Sequence, residues 1–406
     1  MKIAGIIAEY NPFHRGHEYH IRKTKELTGA DRIVVVMSGD YVQRGECALL
    51  PKHLRAKAAL SGGADLVLEL PVYYSLSSAE DFARGAVALL NSLGCVDHLS
   101  FGCDDADMDA LERAAEMLSK ETPAFKRTLR DLQRTGLSFP LAREKAFATH
   151  YDPGLAPLLK KPNNILAIEY LKALRFFKSS ITPTAVLRRF AGHDSTGISE
   201  GHASALLIRK MIKDSGRVAA IHELIPEYSY KVLKNAPGFL FPDDFSLLIH
   251  CRLMDKSQNG FEDIHAIPRH LSRHIMKSIN DYISFDNYCD IIKSKNIAHS
   301  AISRGLMSLA LDLKESKIKK CISQNYIGYI NILGFRKESS DLLSEIKNYC
   351  SLPIIAKPSR AQAVLEEPFS SAFADDLRCS GIYGAHLLRK TGSPCRNPLT
   401  ISPVIV

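Results

Sequence analysis

Two histidines set the chemistry open to this chain. His14 and His17 flank Arg15 and Gly16, and an apolar run from Ile3 to Ala8 leads toward them. The run reads as a buried strand. Asn11-Pro12 must end it, because proline fixes φ and offers no N–H to a ladder. From His17 to Leu27 the mixture of polar and apolar residues reads as a helix. The histidines therefore stand where a tight loop meets a helix start. Unpaired N–H groups and the positive end of the helix dipole favour phosphate at such a place. Imidazoles there can donate to phosphoryl oxygens as charge builds in a transition state. Gly16 removes a side chain where a nucleotide has to come close. The competing reading of the same residues is a zinc site or an ordinary surface turn.

The elements that must position this loop can be read onward. Ile33 to Met37 is a second strand, opening into the polar loop Ser38-Gly39-Asp40 and Gln43-Arg44-Gly45-Glu46. Pro51 starts a helix, Leu66 to Leu70 is a third strand, Glu80 to Asn91 a helix, and His98 to Gly102 a fourth strand. Strands alternating with helices imply an α/β fold with a parallel sheet, whose ligands bind at the carboxyl ends of the strands. The crevice should lie between the first loop and Gly102. Residues 106–150 read as a helical insertion. Lys160 to Asn164 reads as a turn entering the helix Ile165 to Leu174, and a capping role accounts for one of its two asparagines. Thr184 to Arg189 reads as a strand, and the helix Ala203 to Ile212, carrying Arg209, closes a first domain near residue 215. Residues 216–320 read as helical, with two helices over 286–320. Residues 321–406 read as a small α/β part, with strands at Tyr326 to Leu333 and Ser351 to Lys357.

Composition bounds the class. A chain of 406 residues with 46% apolar and 24% charged residues is globular and large enough for two or three domains. No apolar run reaches the ~20 residues of a membrane span, so no membrane partner is expected. Nine cysteines without a Cys-x-x-Cys pair imply reduced thiols and a cytoplasmic location rather than a disulfide framework. The net charge of +9 is uneven. Residues 1–150 hold 19 Lys and Arg against 20 Asp and Glu, and the remainder holds 34 against 24. A near-neutral front and a basic back suit a catalytic domain followed by a polyanion-binding part. Arg269, Arg273 and Lys277 lie in a stretch rich in arginine and histidine, from Ile264 to Lys277, and are the candidate RNA contacts.

His14-Arg15-Gly16-His17 resembles the H-x-G-H motif of the nucleotidyltransferase superfamily, whose members attack the α-phosphorus of ATP and release pyrophosphate. A longer ordered set narrows this. Glu9-Tyr-Asn-Pro-Phe-His14, Ser38-Gly39-Asp40, Gln43-Arg44-Gly45, Glu69-Leu-Pro71, Phe101-Gly102 and Pro162-Asn-Asn-Ile-Leu166 together resemble the bacterial tRNA(Met) cytidine acetate ligase family, as far as about residue 200. The resemblance implies that the domain over 1–215 is a Rossmann-like nucleotidyltransferase. With tRNA as the substrate, the basic helical region over 216–320 is the expected tRNA-binding part, followed by the small C-terminal part over 321–406. It implies that ATP and acetate form acetyladenylate, and that the acetyl group passes to N4 of the wobble cytidine of elongator tRNA(Met). It implies ATP contacts from Ile7, Ala8, Glu9, Tyr10, Asn11, Pro12, Phe13, His14, Gly16, His17 and His20, then from Gly102, Asn163, Asn164, Arg188 and Arg189. Magnesium would arrive with ATP, with no metal site of protein ligands alone and no stable protein partner. Among these, His14, His17 and Asp40 are the candidate catalytic residues. Asp40 and Glu69 can orient the amine or magnesium, or can serve as a cap or an ion-pair partner of Lys52 or Arg44. One departure stands out. Where many relatives carry hydroxyl residues, this chain has Leu206 and Leu207, which leaves Ser204 and Arg209 as donors. Two further functions fit less of the sequence. A small-molecule adenylyltransferase would leave the basic back half without a purpose, and an RNA-binding relative without turnover is supported only by the Leu206-Leu207 change.

Overall fold

A computed structural model describes residues 1–188, 203–294, 297–394 and 397–406. The strands are β1 (Ile3–Ala8), β2 (Arg32–Ser38), β3 (Tyr41–Val42), β4 (Glu46–Cys47), β5 (Leu66–Leu70), β6 (His98–Cys103), β7 (Thr182–Leu187), β8 (Ile330–Phe335), β9 (Ile354–Ile355) and β10 (Val404–Ile405). One sheet runs in the order β10-β8-β5-β2-β1-β6-β7, with β9 on β8, and β3 and β4 form a separate hairpin. From β5 to β7 every pairing is parallel. Strand β8 lies antiparallel to β5. The α/β class and the parallel sheet expected from the sequence are therefore present. The strands read for 321–406 complete this same sheet rather than forming one of their own.

Both faces of the sheet are buried, and the pleat sorts the side chains. Val34 and Val36 of β2 and Leu66 and Leu68 of β5 join one apolar core, while Ile33, Val35, Met37 and Val67 join the other. Successive side chains point to opposite faces, so a strand covered on both sides must be apolar throughout. That is why β1, β2 and β5 are legible as continuous apolar runs. The helix Ala79–Ser92 fills the first face through Phe82, Ala83 and Ala86. The helices Arg15–Thr28 and Lys52–Ser61 fill the second through Ile21, Ala56 and Ala59.

Three readings need correction. Asn163 and Asn164 lie inside the first turn of the helix Pro162–Phe176, whose cap is Lys161. Proline is tolerated at that first position because its missing N–H would be unpaired anyway. Residues 286–320 fall into parts of three helices, Phe285–Ile292, His299–Ala310 and Glu315–Ser323, not two. The second break turns on Asp312, which takes a left-handed backbone with φ 48° and has neither glycine nor proline beside it. In the C-terminal part, Asn325 and Tyr326 are also left-handed, with φ 61° and 72°, so the strand begins only at Ile330. The insertion at 106–150 is helical as expected, in Met108–Ser119, Pro123–Arg134 and Phe139–His150.

Candidate active site

The cavity opens at the carboxyl ends of β1, β6 and β7. The chain leaves β1 for β2 on one side and later returns to place β6 on the other, so this is where the strand order reverses. Loops diverge there and leave a crevice. The cavity has a volume of about 250 Å³.

Its floor is the loop after β1. Tyr10 is left-handed at φ 48°, a strained conformation for a bulky residue that its surroundings must hold. Phe13 and His17 pack edge-on against its ring, at 4.9 and 4.8 Å between centroids. His14 caps the helix Arg15–Thr28. Its Nδ1 accepts from Gly16 N at 3.0 Å, and Nδ1 of His17 accepts from His14 N at 3.2 Å. The two rings stack at 3.8 Å. With both Nδ1 atoms accepting, each neutral ring carries its proton on Nε2 and is a donor there. The two histidines thus present a pair of N–H groups where the helix dipole is positive. Gly16 has a different reason than a close nucleotide. A Cβ on it would lie 2.8 Å from Cε1 of His14, so the capping ring excludes any side chain.

The electrostatics follow from burial beside cations. Burial lowers His17 well below the ordinary imidazole value, and His14, Arg188 and His20 lower it further. Burial and Arg188 bring His20 down to about 4. Nε2 of His20 meets Oγ of Ser100 at 3.0 Å. Burial also lowers Arg188. Its guanidinium donates to Oδ1 of Asn163 at 3.0 Å, and Nδ2 of Asn163 donates to Asp104 at 2.9 Å. Gly102 leaves room for the Arg188 stem, whose Cγ would lie 3.3 Å from an added Cβ. A second helix start, capped by Ser204, brings Ser204, Ala205 and Leu206 to the wall. Arg209 one turn on donates to the carbonyl of Asn11 at 2.9 Å and to Glu46 at 3.2 Å. Two helix N-termini and two arginines converge, which suits a polyanion. The phenol of Tyr10 and Nδ2 of Asn11 are buried with no partner among the described residues. Such atoms cost free energy until something bonds them.

Most of the residues expected at the site meet here. Ile7, Ala8, Glu9, Tyr10, Asn11, His14, Gly16, His17, His20, Gly102, Asn163 and Arg188 line the cavity. Pro12, Phe13 and Asn164 stand behind the lining. Phe13 backs Tyr10, and Oδ1 of Asn164 accepts from Asp104 N and Asp105 N. Arg189 lies outside the described residues. Asp40 is not brought to the cavity. Its Oδ1 accepts from Lys52 N at 2.8 Å, at the start of the helix Lys52–Ser61, so of the two readings it is the cap that the geometry favours. Glu69 pairs with Lys52 at 2.7 Å. Gln43, noted in the sequence only as part of a motif, and Arg44, noted there also as a possible ion-pair partner of Asp40 or Glu69, line the wall. Phe82, Phe101, Leu166 and Tyr170 form its apolar side; Phe101 and Leu166 stood in the motif set, whereas Phe82 and Tyr170 carried no signal, because a wall residue looks like any core residue. Arg269, Arg273 and Lys277 sit on the exposed face of the helix Arg269–Lys277, which buries Leu271 and Ile275. Among the described residues no three His, Cys, Asp or Glu are grouped to hold a metal.

A parallel sheet with a histidine-capped loop and basic helix starts at its reversal point defines a nucleotide-binding site of the nucleotidyltransferase kind. The family model for the HIGH nucleotidyl transferases matches residues 1–394. The tRNA(Met) cytidine acetate ligase of Caldanaerobacter subterraneus subsp. tengcongensis is 38% identical over 388 residues, 94% of this chain and 95% of that protein. The Clostridium perfringens protein of the same name is 36% identical over 392 residues, again 94% and 95%. Two crystal structures of Thermotoga maritima TmcAL, one apo and one bound with alpha-thio ATP, superpose with TM-scores of 0.89 and 0.88 at 28% identity over the whole of both chains. The chain belongs to the HIGH nucleotidyltransferase family and, within it, to the family of the tRNA(Met) cytidine acetate ligases.

Proposed function

We propose that this protein is an ATP-dependent acetate ligase acting on elongator tRNA(Met). Acetate oxygen attacks the α-phosphorus of ATP and pyrophosphate leaves. The acetyl group of the acetyladenylate then passes to N4 of the wobble cytidine, and AMP leaves. The observation that carries the reading is the pair of Nε2–H donors of His14 and His17 at a helix start, with Arg188 and Arg209 beside them. Acetate is already a carboxylate nucleophile, so the first step needs positioning and stabilised phosphate charge more than a base. Magnesium belongs to the reading as a companion of the triphosphate. The second step needs water kept from a mixed anhydride, and the apolar wall of Phe82, Phe101 and Tyr170 serves that end.

The division of labour is part of the proposal. Residues 1–215 hold the nucleotide, and residues 216–320 grip tRNA through Arg269, Arg273 and Lys277. Residues 321–406 supply strands at the far edge of the sheet. No described helix is long and apolar enough to cross a membrane. The eight described cysteines are free thiols, which supports a reducing compartment such as the cytoplasm. The test is one incubation with ATP, magnesium, acetate and tRNA. It is expected to give N4-acetylcytidine in the anticodon, with AMP and pyrophosphate. Modification with acetyl-CoA in place of ATP and acetate, or ADP in place of AMP, would overturn the adenylate route.

A further inference from the structure

We infer that Glu9 is the base that takes the N4 proton of the cytidine during acyl transfer, an inference that rests on the ligase reading above. Among the described residues Glu9 is the one carboxylate in the cavity lining. Its position is built rather than incidental. The guanidinium of Arg55, itself buried, donates to the carbonyl of Glu9 at 2.5 Å, and to the carbonyls of Ser38 at 3.0 Å and Leu50 at 3.1 Å. That pins the end of β1. The N–H of Gln43 donates to Oε1 of Glu9 at 2.9 Å, which orients the carboxylate. Among the described residues nothing donates to Oε2.

A carboxylate beside a triphosphate weakens ATP binding by repulsion. That cost to the first step is offset by a task for the carboxylate in the second, once pyrophosphate has gone. The exocyclic amine of cytidine is conjugated with its ring and is a poor nucleophile, and its N–H becomes acidic only as the new bond forms. In the step assigned here, the N4 lone pair bonds to the acetyl carbonyl carbon. The bond from that carbon to the phosphate oxygen breaks, and AMP leaves with the electron pair. The N4 proton passes to Oε2 of Glu9 and then to solvent. The other titratable groups of the cavity are poorly suited to accept it. His14 and His17 have Nδ1 occupied by main-chain N–H donors and carry protons on Nε2. Nε2 of His20 is engaged with Ser100.

The surroundings tune Glu9 toward this task. Burial raises its pKa, against the pull of the Gln43 N–H, Arg209 and Arg44, and with a push from Glu46. Arg55 from beneath and Tyr170 from the helix Pro162–Phe176 also face it. A base closer to neutral pH is a stronger proton acceptor while still ionised.

The experiment separates the two steps in the full-length protein. Acetate-dependent exchange of pyrophosphate into ATP reads the first, and single-turnover transfer from preformed acetyladenylate to a tRNA transcript reads the second. For Glu9→Gln the expected result is a loss of roughly 100-fold or more in transfer, at least tenfold greater than the loss in exchange. The acid limb of the transfer–pH profile should vanish with it. Glu9→Asp, which keeps a carboxylate, should recover part of the transfer rate, and thermal melting checks that both variants fold. Equal losses in both steps would make Glu9 an ATP contact and overturn the inference, as would transfer at the wild-type rate. A wild-type protein that exchanges pyrophosphate but forms no acetylcytidine would overturn the ligase reading and this inference together.

Discussion

Two polar clusters stand at the carboxyl ends of neighbouring strands, and they differ in how completely the chain satisfies them. At the end of β1, the cavity cluster leaves the Tyr10 phenol and Nδ2 of Asn11 without partners among the described residues and holds His17 and His20 below their ordinary pKa values. At the ends of β2 and β5, Lys52, Glu69, Asp40 and Asp376 are all taken up by partners within the chain, Asp40 by Lys52 N and Asp376 by Val72 N and Tyr329. Lys52 Nζ donates to both oxygens of Glu69, at 2.7 and 2.9 Å, and to Ser380 at 2.8 Å. Asn331 donates to Glu69 at 2.7 Å, and the Tyr329 phenol donates to Asp376 at 2.5 Å. Burial and Glu69 push Asp376 up to about 7. Ser380 and Asp376 belong to the long helix Phe369–Thr391, which seals the second cluster. A strand end offers the same backbone in both places. It becomes a site where donors are left over, and a structural joint where distant residues use them up.

The comparison breaks most directly at the joint. Lys52→Ala leaves Glu69 buried without its cation, and an unpaired buried charge costs roughly 3–5 kcal/mol. Urea unfolding should show a loss of that size. Lys52→Met combined with Glu69→Gln should recover part of it, because neither a bare charge nor its desolvation remains.

The cavity should respond the other way, in rate rather than stability. On the proposed reading His17→Ala removes a donor to developing phosphate charge, so acetyladenylate formation should fall by about 100-fold or more, while the melting temperature stays close to the wild-type value. Near wild-type adenylation would show that the histidine pair is only a helix cap.

The proposed RNA-binding face sharpens the contrast by being neither sealed nor enclosed. Arg273 and Lys277 are exposed and have no ion-pair partner among the described residues. Reversing both to glutamate should weaken tRNA binding by about tenfold or more at moderate salt and flatten its salt dependence, since each lost phosphate contact releases fewer counterions. ATP binding should not change. Filter binding across a salt series reads both effects.

The smallest effect is a pH dependence. His20 titrates near 4 in the folded protein and near 6.5 in an unfolded chain. Below about pH 6.5 the unfolded state takes up a proton that the folded state refuses. Stability should therefore fall as pH drops from about 6.5 toward 4 and level off below that. The slope is at most about 1.4 kcal/mol per pH unit for this group, and about 1 kcal/mol is expected by pH 5.5. His20→Asn should flatten that part of the curve in nucleotide-free protein.

Much of the catalytic half was legible because its rules are local. Strands β1, β2 and β5 are apolar runs set by burial on both faces, and the loop at Asn11-Pro12, Gly16 and the two histidines lies within a few residues of sequence. Gly102, Asn163 and Arg188 could be named as candidate site residues because the resemblance of the motif set implied them, and each sits near a strand or helix end. What the sequence could not determine was which polar residues would be consumed by partners far along the chain. Asp40 and Glu69 looked as available as Glu9, yet Glu69 meets Asn331, 262 positions away, and Lys52 meets Ser380, 328 positions away. The sequence alone specifies the alternation of elements, the histidine-capped loop and the excess of positive charge in the back half. Only the tertiary structure decided that strands near the C-terminus close the sheet beside β5, and that Glu9 rather than Asp40 faces the cavity. Pairing between remote segments depends on packing and burial, and neither is encoded in any one stretch.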